Sequence, residues 1–151
     1  FCPGNVTAHA EFNFWFDPHA AKAVLASNIP MVMFGLDVTN HAVITPERIR
    51  QLREAGPSGD FSARMLAYYA AAGSAHLHDP CVIAYLVSPE LFSSVEAFCE
   101  VEVQSEPTIG RSVVAVSKRD DVGHHPNCLV MTDCDSDRLF GLLEARLATL
   151  N

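Results

Sequence analysis

No apolar run in this chain approaches the ~18 residues that a membrane helix requires. The longest, Ile29 to Leu36, is interrupted by Pro30 and Gly35, so no membrane partner is expected. Basic residues are also scarce: 10 Lys and Arg against 18 Asp and Glu leave a net charge of −8. Binding a phosphate backbone needs a basic face, which argues against nucleic acid as a partner. The loose group Arg48, Arg50 and Arg53 falls on a predicted helix and reads as a solvated face. CxxC spacing is absent among the five cysteines (Cys2, Cys81, Cys99, Cys128, Cys134). An odd count without that spacing predicts reduced, mostly buried thiols in a cytoplasmic setting, not a disulfide framework or a zinc site. Phe1-Cys2-Pro3-Gly4 offers neither a basic region nor a methionine. No signal peptide is read there, and the expectation is that something upstream has been removed. Without a secretory signal, the sequon Asn5-Val6-Thr7 is taken as coincidental.

What is present suits one globular unit. Nearly half of the 151 residues are hydrophobic (49%), and a chain of this length can bury a real core. Repeats and low-complexity tracts are lacking. Asp17-Pro18, Thr45-Pro46 and Asp79-Pro80 share one grammar, a capping residue followed by proline at the first helical position. The first of these helices pairs Ala20 with Val24 and Ala21 with Leu25, and ends near Ser27-Asn28. Met31 to Leu36 predicts a short strand buried on both faces of a parallel sheet. A second helix covers about Pro46 to Ala55, broken by Gly56-Pro57-Ser58-Gly59. A third runs from about Phe61 to Ala72 and stops at Gly73, and a fourth from Pro80 is expected to bury Val82, Ile83, Tyr85 and Leu86.

The pattern changes after Pro89. Cys99, Val101 and Val103 alternate with Glu100, Glu102 and Gln104, the period of a half-exposed strand. Pro107 and Gly110 turn the chain and Val113 to Val116 returns it, predicting an antiparallel hairpin at the sheet's edge. Asp120 to Pro126 is a polar loop, in which His124-His125 reads as solvated. Leu129-Val130-Met131 is another strand, and a last helix from about Asp137 turns Leu139, Leu142, Leu143 and Leu147 inward. The expected class is α/β: a mixed sheet flanked by helices, with an antiparallel hairpin at one edge.

Three stretches carry candidate chemistry. Asn5-Val6-Thr7-Ala8-His9-Ala10-Glu11-Phe12-Asn13 sets two carboxamides and a carboxylate around an aromatic. These groups can exchange hydrogen bonds with vicinal hydroxyls; the plainer reading is a polar loop capping the next helix. Gly73-Ser74-Ala75-His76-Leu77-His78-Asp79-Pro80 offers a histidine able to protonate a leaving group. Asp79 there is either a metal ligand or a helix cap, and local sequence does not separate the two. Asp133-Cys134-Asp135-Ser136-Asp137 imitates an EF-hand start, with Glu144 at the twelfth position. Arg138 stands where the turn needs glycine, so a loop leading into a helix explains it better than calcium.

In order along the chain, several segments resemble the inosine-uridine-preferring nucleoside hydrolase family. They are Pro3-Gly4-Asn5-Val6-Thr7 with Ala10-Glu11-Phe12-Asn13, then Asp17-Pro18, Gly35-Leu36-Asp37-Val38-Thr39, and Leu77-His78-Asp79-Pro80-Cys81. The Glu100 to Val114 hairpin fits as well. The resemblance implies the C-terminal part of that fold and hydrolysis of the N-glycosidic bond of ribonucleosides, in nucleoside salvage. It implies that Asn5, Glu11 and Asn13 hold the ribose hydroxyls and that Phe12 walls the sugar. It further implies that Asp79 binds both substrate and a calcium ion whose water attacks the sugar, while His78 gives a proton to the departing base.

Departures from the family pattern bear on the expectation. The family's aspartate-rich N-terminal motif has no counterpart, the stretch from Asn13 to His78 is short, and His76 stands where proline is common. The chain is therefore expected to be one partial domain with an incomplete calcium site. It should pair with a complementing N-terminal half or form a homo-oligomer. A non-catalytic ribose- or nucleoside-binding remnant, or a structural domain, is the alternative.

Overall fold

A computed structural model describes residues 2–73, 75–116 and 123–150. Their contacts divide into two compact units, 1–36 with 94–132 and 37–93 with 133–151. Asp120, Asp121 and Val122 of the expected polar loop, and Ser74 of the histidine stretch, lie outside the described residues.

The first unit holds helices α1 (Phe12–Phe16) and α2 (Pro18–Leu25) and a sheet of β1 (Val32–Met33), β2 (Phe92–Val101), β3 (Ser112–Ala115) and β4 (Cys128–Cys134), in the order β1-β4-β2-β3. β1 runs parallel to β4 with Val32 opposite Leu129. β2 runs antiparallel to β3 with Cys99 opposite Val114. The sheet is thus mixed, with the hairpin at its edge, as the alternating pattern predicts. Cys99 and Val101 are each 1% exposed while Glu100 between them faces solvent. They pack with Leu25, Ala97, Cys128 and Val130 in one cluster. Asn127 fastens this core: its Nδ2 donates to the carbonyls of Leu25 (3.0 Å) and Cys99 (2.9 Å), and its Oδ1 accepts from Cys99 N (2.7 Å). A half-buried amide with donors and acceptor all engaged avoids the desolvation cost of an unpaired one.

Three expectations for this unit are corrected. The strand expected over Met31 to Leu36 contracts to two residues, and Val32 is 43% exposed. Pro30 and Gly35 confine the extended stretch, and β1 ends the strand order with one neighbour, so burial on both faces is not achieved. In α2 the second pair, Ala21 and Leu25, turns inward, while Val24 of the first pair is 56% exposed. α1 went unanticipated because its run of aromatics around Asn13 has no helical period. The end of α2 is as expected: Asn28 takes φ 59°, a left-handed stop. His124 is exposed but stacks on Phe98, with ring centroids 4.2 Å apart.

The second unit is helical: α3 (Leu36–Thr39), α4 (Pro46–Glu54), α5 (Gly56–Ala71), α6 (Asp79–Val87) and α7 (Ser136–Leu147), with a 3-10 turn at Pro89–Leu91. Gly56-Pro57-Ser58-Gly59 does not separate two helices by a loop; it begins the second one. Gly56 takes φ +88°, Pro57 occupies the first turn, and Gly59 passes so close to α4 that a Cβ would lie 2.2 Å from the Leu52 carbonyl oxygen. The end at Gly73 (φ 103°) is as expected. α7 buries Leu139 and Phe140, with Leu142, Leu143 and Leu147 half-buried. Arg48 reaches from α4 over the Phe140 ring (4.2 Å to its centroid) and donates to the Val43 carbonyl at 2.7 Å. α6 reverses its expectation. Cys81 and Ala84 are its buried residues, whereas Val82, Ile83 and Leu86 are 43%, 62% and 74% exposed and Tyr85 is half-buried.

Gly110 ties the hairpin to α1. It is buried with φ +81°, and a Cβ there would meet the Phe14 carbonyl oxygen at 2.9 Å and Trp15 Cα at 3.0 Å. Gly110→Ala is therefore expected to cost about 1–3 kcal/mol in urea unfolding. Gly141→Ala, on an open face of α7 where an added Cβ meets nothing, should gain about 0.5–1 kcal/mol. Equal responses at the two sites would contradict this packing.

Candidate functional site

In the first unit, the loop before α1 folds on its own polar atoms. Thr7 Oγ1 accepts from the N–H groups of His9 (3.2 Å) and Ala10 (3.0 Å), and Val6 N donates to Ala10 O (3.3 Å). Gly4 lies against this turn, where a Cβ would fall 2.2 Å from Ala10 O. Asn5 Oδ1 accepts from Phe12 N at 2.9 Å, and Glu11 Oε2 caps α1 by accepting from Asn13 N (2.9 Å) and Phe14 N (3.3 Å). The stretch caps α1, which begins inside it at Phe12, and not the expected helix from Pro18, which Asp17 caps; that capping fixes which atoms remain. The Asn5 oxygen is engaged, so its Nδ2 is the group available as a donor. Both cap bonds fall on Oε2, so the other carboxylate oxygen of Glu11 is not used by the cap. Asn13 lies exposed on α1, and Phe12 is 50% exposed beside Phe16, ring centroids 5.8 Å apart.

In the second unit, two short extended segments clasp each other ahead of α6. Ile44 N donates to Ala75 O (2.6 Å), Leu77 N donates to Ala42 O (2.9 Å), and Val43 bridges His76 in antiparallel sense. His78 follows at once, already in helical conformation (φ −77°, ψ −70°), with no side-chain cap at this helix start. Asp79 is consequently the first helical residue and is exposed. The shared grammar of the three Asp/Thr-Pro starts is corrected here. Asp17 (φ −144°) caps α2 through Ala20 N at 2.8 Å, and Thr45 caps α4 through Arg48 N at 3.2 Å, but Asp79 stands one position too late to cap. His78 Nδ1 lies 2.8 Å from Thr39 Oγ1, and the rings of His76 and His78 are 5.7 Å apart. Thr39, a buried hydroxyl on α3, was quoted above only as part of a resembling segment. No local signal marked it, because Asp37 and Asn40 are polar neighbours in the same stretch. Behind Asp79, the Cys81 thiol is pushed up by its hydrogen bond with Cys134 and by burial, which leaves it poorly suited to act as a nucleophile.

Of the EF-hand-like run, Asp135 caps α7 through Arg138 N (3.1 Å), while Asp133 meets His41 Nδ1 at 2.9 Å. Those carboxylates serve local structure. Among the described residues, no three His, Cys, Asp or Glu side chains come together as a metal-holding group. None of the described helices is long and apolar enough to cross a membrane.

The family model for inosine-uridine preferring nucleoside hydrolase matches residues 1–141. The chain belongs to that family. It is 40% identical to a pyrimidine-specific ribonucleoside hydrolase RihA of Klebsiella pneumoniae, over 96% of this chain and 49% of the relative. It is 42% identical to RihA of Escherichia coli K12, over 95% and 49%. Among solved structures, a purine-preferring ribonucleoside hydrolase from Gardnerella vaginalis superposes with a TM-score of 0.84 at 30% identity, over 99% of this chain and 49% of that one. The inosine-uridine preferring nucleoside hydrolase from Bacillus anthracis gives a TM-score of 0.76 at 25% identity, over 99% and 48%. The chain thus spans about half the length of the nucleoside hydrolases it matches. Both candidate segments lie inside the matched range, one in each unit.

The contrast between the two Asp-Pro starts can be measured. Asp17→Ala should lower unfolding free energy by about 1 kcal/mol, the worth of a lost cap. Asp79→Ala should cost no more than about 0.5 kcal/mol, the share of a first-turn carboxylate in the helix dipole. A loss at Asp79 as large as at Asp17 would restore the capping role.

Proposed function

We propose that this chain supplies the ribose-binding and leaving-group residues of a nucleoside N-ribohydrolase, as one partial domain of it. The observation that carries this reading is the family match, which spans the Asn5–Asn13 loop and the His78-Asp79 turn together. Glu11, through the carboxylate oxygen its cap leaves unused, accepts from a ribose hydroxyl, while the amides of Asn5 and Asn13 complete the grip. Phe12 walls the sugar. Such contacts favour catalysis to the extent that they strengthen as the sugar flattens toward an oxocarbenium-like state. When the C–N bond breaks, its electron pair passes to the base nitrogen, which takes a proton from His78, and water adds to the anomeric carbon and releases a proton to solvent. Asp79, free of a capping duty, faces the substrate as a further contact.

Calcium, which the family resemblance implies with Asp79 as a ligand, does not fit the residues of this chain alone. It takes about 6–8 oxygen ligands, and beside Asp79 stand two imidazoles, His76 and His78. Asp79 by itself supplies at most two of those oxygens. This favours one specific alternative for the chain by itself, a binder of ribose or nucleoside that does not hydrolyse it. In a cell the active form is a complex with a complementing N-terminal half, or a homo-oligomer, in the cytoplasm. The relatives at 40–42% identity are named pyrimidine-specific, so uridine and cytidine are the first nucleosides to assay.

Calorimetry with ribose and uridine, with and without calcium, tests the binding claim. Glu11→Gln should weaken ribose binding about tenfold, or about 1.4 kcal/mol. Absence of any ribose binding would leave the structural-domain alternative. In the complete hydrolase, His78→Ala should slow uridine more than an activated aryl riboside; equal losses on both would refute proton donation. The apolar residues Val82, Ile83, Leu86 and Val87 on α6 should make the isolated chain associate with itself or with the complementing half. A clean compact monomer in gel filtration would count against that.

A further inference from the structure

We propose that Thr39 is a positioning residue for His78, holding Nδ1 so that the proton delivered to a leaving group departs from Nε2. The inference rests on the leaving-group role read for His78 above. Among the described residues Thr39 is the only buried polar side chain, 4% exposed. A buried hydroxyl must find a partner. The ordinary solution for a helical threonine is a bond to a carbonyl one turn back. Thr39 instead pairs with His78 Nδ1 at 2.8 Å, across 39 residues of sequence.

That choice has chemical content because a hydroxyl can both donate and accept, whereas a carbonyl can only accept and an ammonium only donate. Before transfer the imidazolium carries protons on both nitrogens, and Nδ1–H donates to Thr39 Oγ1. During transfer the Nε2–H bond breaks and a base N–H bond forms, using the electron pair released from the glycosidic bond. The ring is left neutral with its remaining proton on Nδ1, still donating to Thr39. When the neutral ring instead carries its proton on Nε2, the hydroxyl rotates and donates to Nδ1. The ring plane is kept in each state. The placement is rigid because the Ala42–Ile44 and Ala75–Leu77 clasp binds the ends of the two segments that carry the pair.

The test uses Thr39→Val, which keeps the shape and removes the hydroxyl, and Thr39→Ser, which restores it. In the full chain, two-bond ¹⁵N–¹H ring correlations at fixed pH should show His78 Nδ1 shifted by a hydrogen bond in the native and Ser proteins, and the shift lost in Val. In the active hydrolase, Val should lose about tenfold on uridine relative to an activated aryl riboside, with Ser restoring the ratio. An unchanged His78 ring pattern in Val overturns the inference. Should Val not fold, a native His78 whose Nδ1 lacks a hydrogen-bonded signature overturns it equally. A ring pattern that responds as expected, in a protein that never hydrolyses nucleosides, would sink the functional reading and leave the positioning intact.

Discussion

The second unit depends on two backbone hydrogen bonds, Ile44 N to Ala75 O and Leu77 N to Ala42 O. They close the excursion that contains α4 and α5 and return the chain beside α3. Without that closure Thr39 and His78 would have no reason to meet. Closing a loop of some thirty residues carries an entropic cost that grows only slowly with length. The packing of α5 on α4 at Gly59, where no side chain larger than hydrogen fits, helps offset it. The helix start at His78 is a by-product of the same clasp. The chain leaves an extended bridge and turns helical immediately, which carries Asp79 past the capping position.

In the first unit the corresponding constraint is polar economy in a short loop. Between Gly4 and Phe14 the backbone N–H groups of His9, Ala10, Phe12, Asn13 and Phe14 are all satisfied by side-chain oxygens of Thr7, Asn5 and Glu11. A polar loop read as helix-capping and one read as hydroxyl-binding are therefore not exclusive. Capping immobilises the side chains, and immobilised donors and acceptors lose less entropy when a ligand arrives. Gly110 presses the hairpin against α1 from the other side and so fixes the helix that carries Phe12 and Asn13.

The exposure of α6 and of Val32 has one physical reading. Both runs are apolar enough to be core, and both face solvent in this chain. Hydropathy reports what a segment can bury, not whether a partner surface is supplied. The chain spans about half the length of the relatives it matches.

Much of the organisation was legible in residues alone: the α/β class, the edge hairpin from the Cys99–Gln104 alternation, the stops at Asn28 and Gly73, and the caps at Asp17 and Thr45. Periodicity and capping act over a few residues, so a linear reading captures them. The family was legible as well, because order and spacing of short motifs survive in one dimension. Other features needed the tertiary structure. The conversion of Gly56–Gly59 from helix breaker to helix start depends on α4 lying within reach. The loss of Asp79's cap depends on a bridge to Ala42. The Thr39–His78 bond joins residues 39 apart, and nothing local announces it. Sequence determined which chemistry is on offer; long-range backbone pairing decided which atoms of it are held and which are left available.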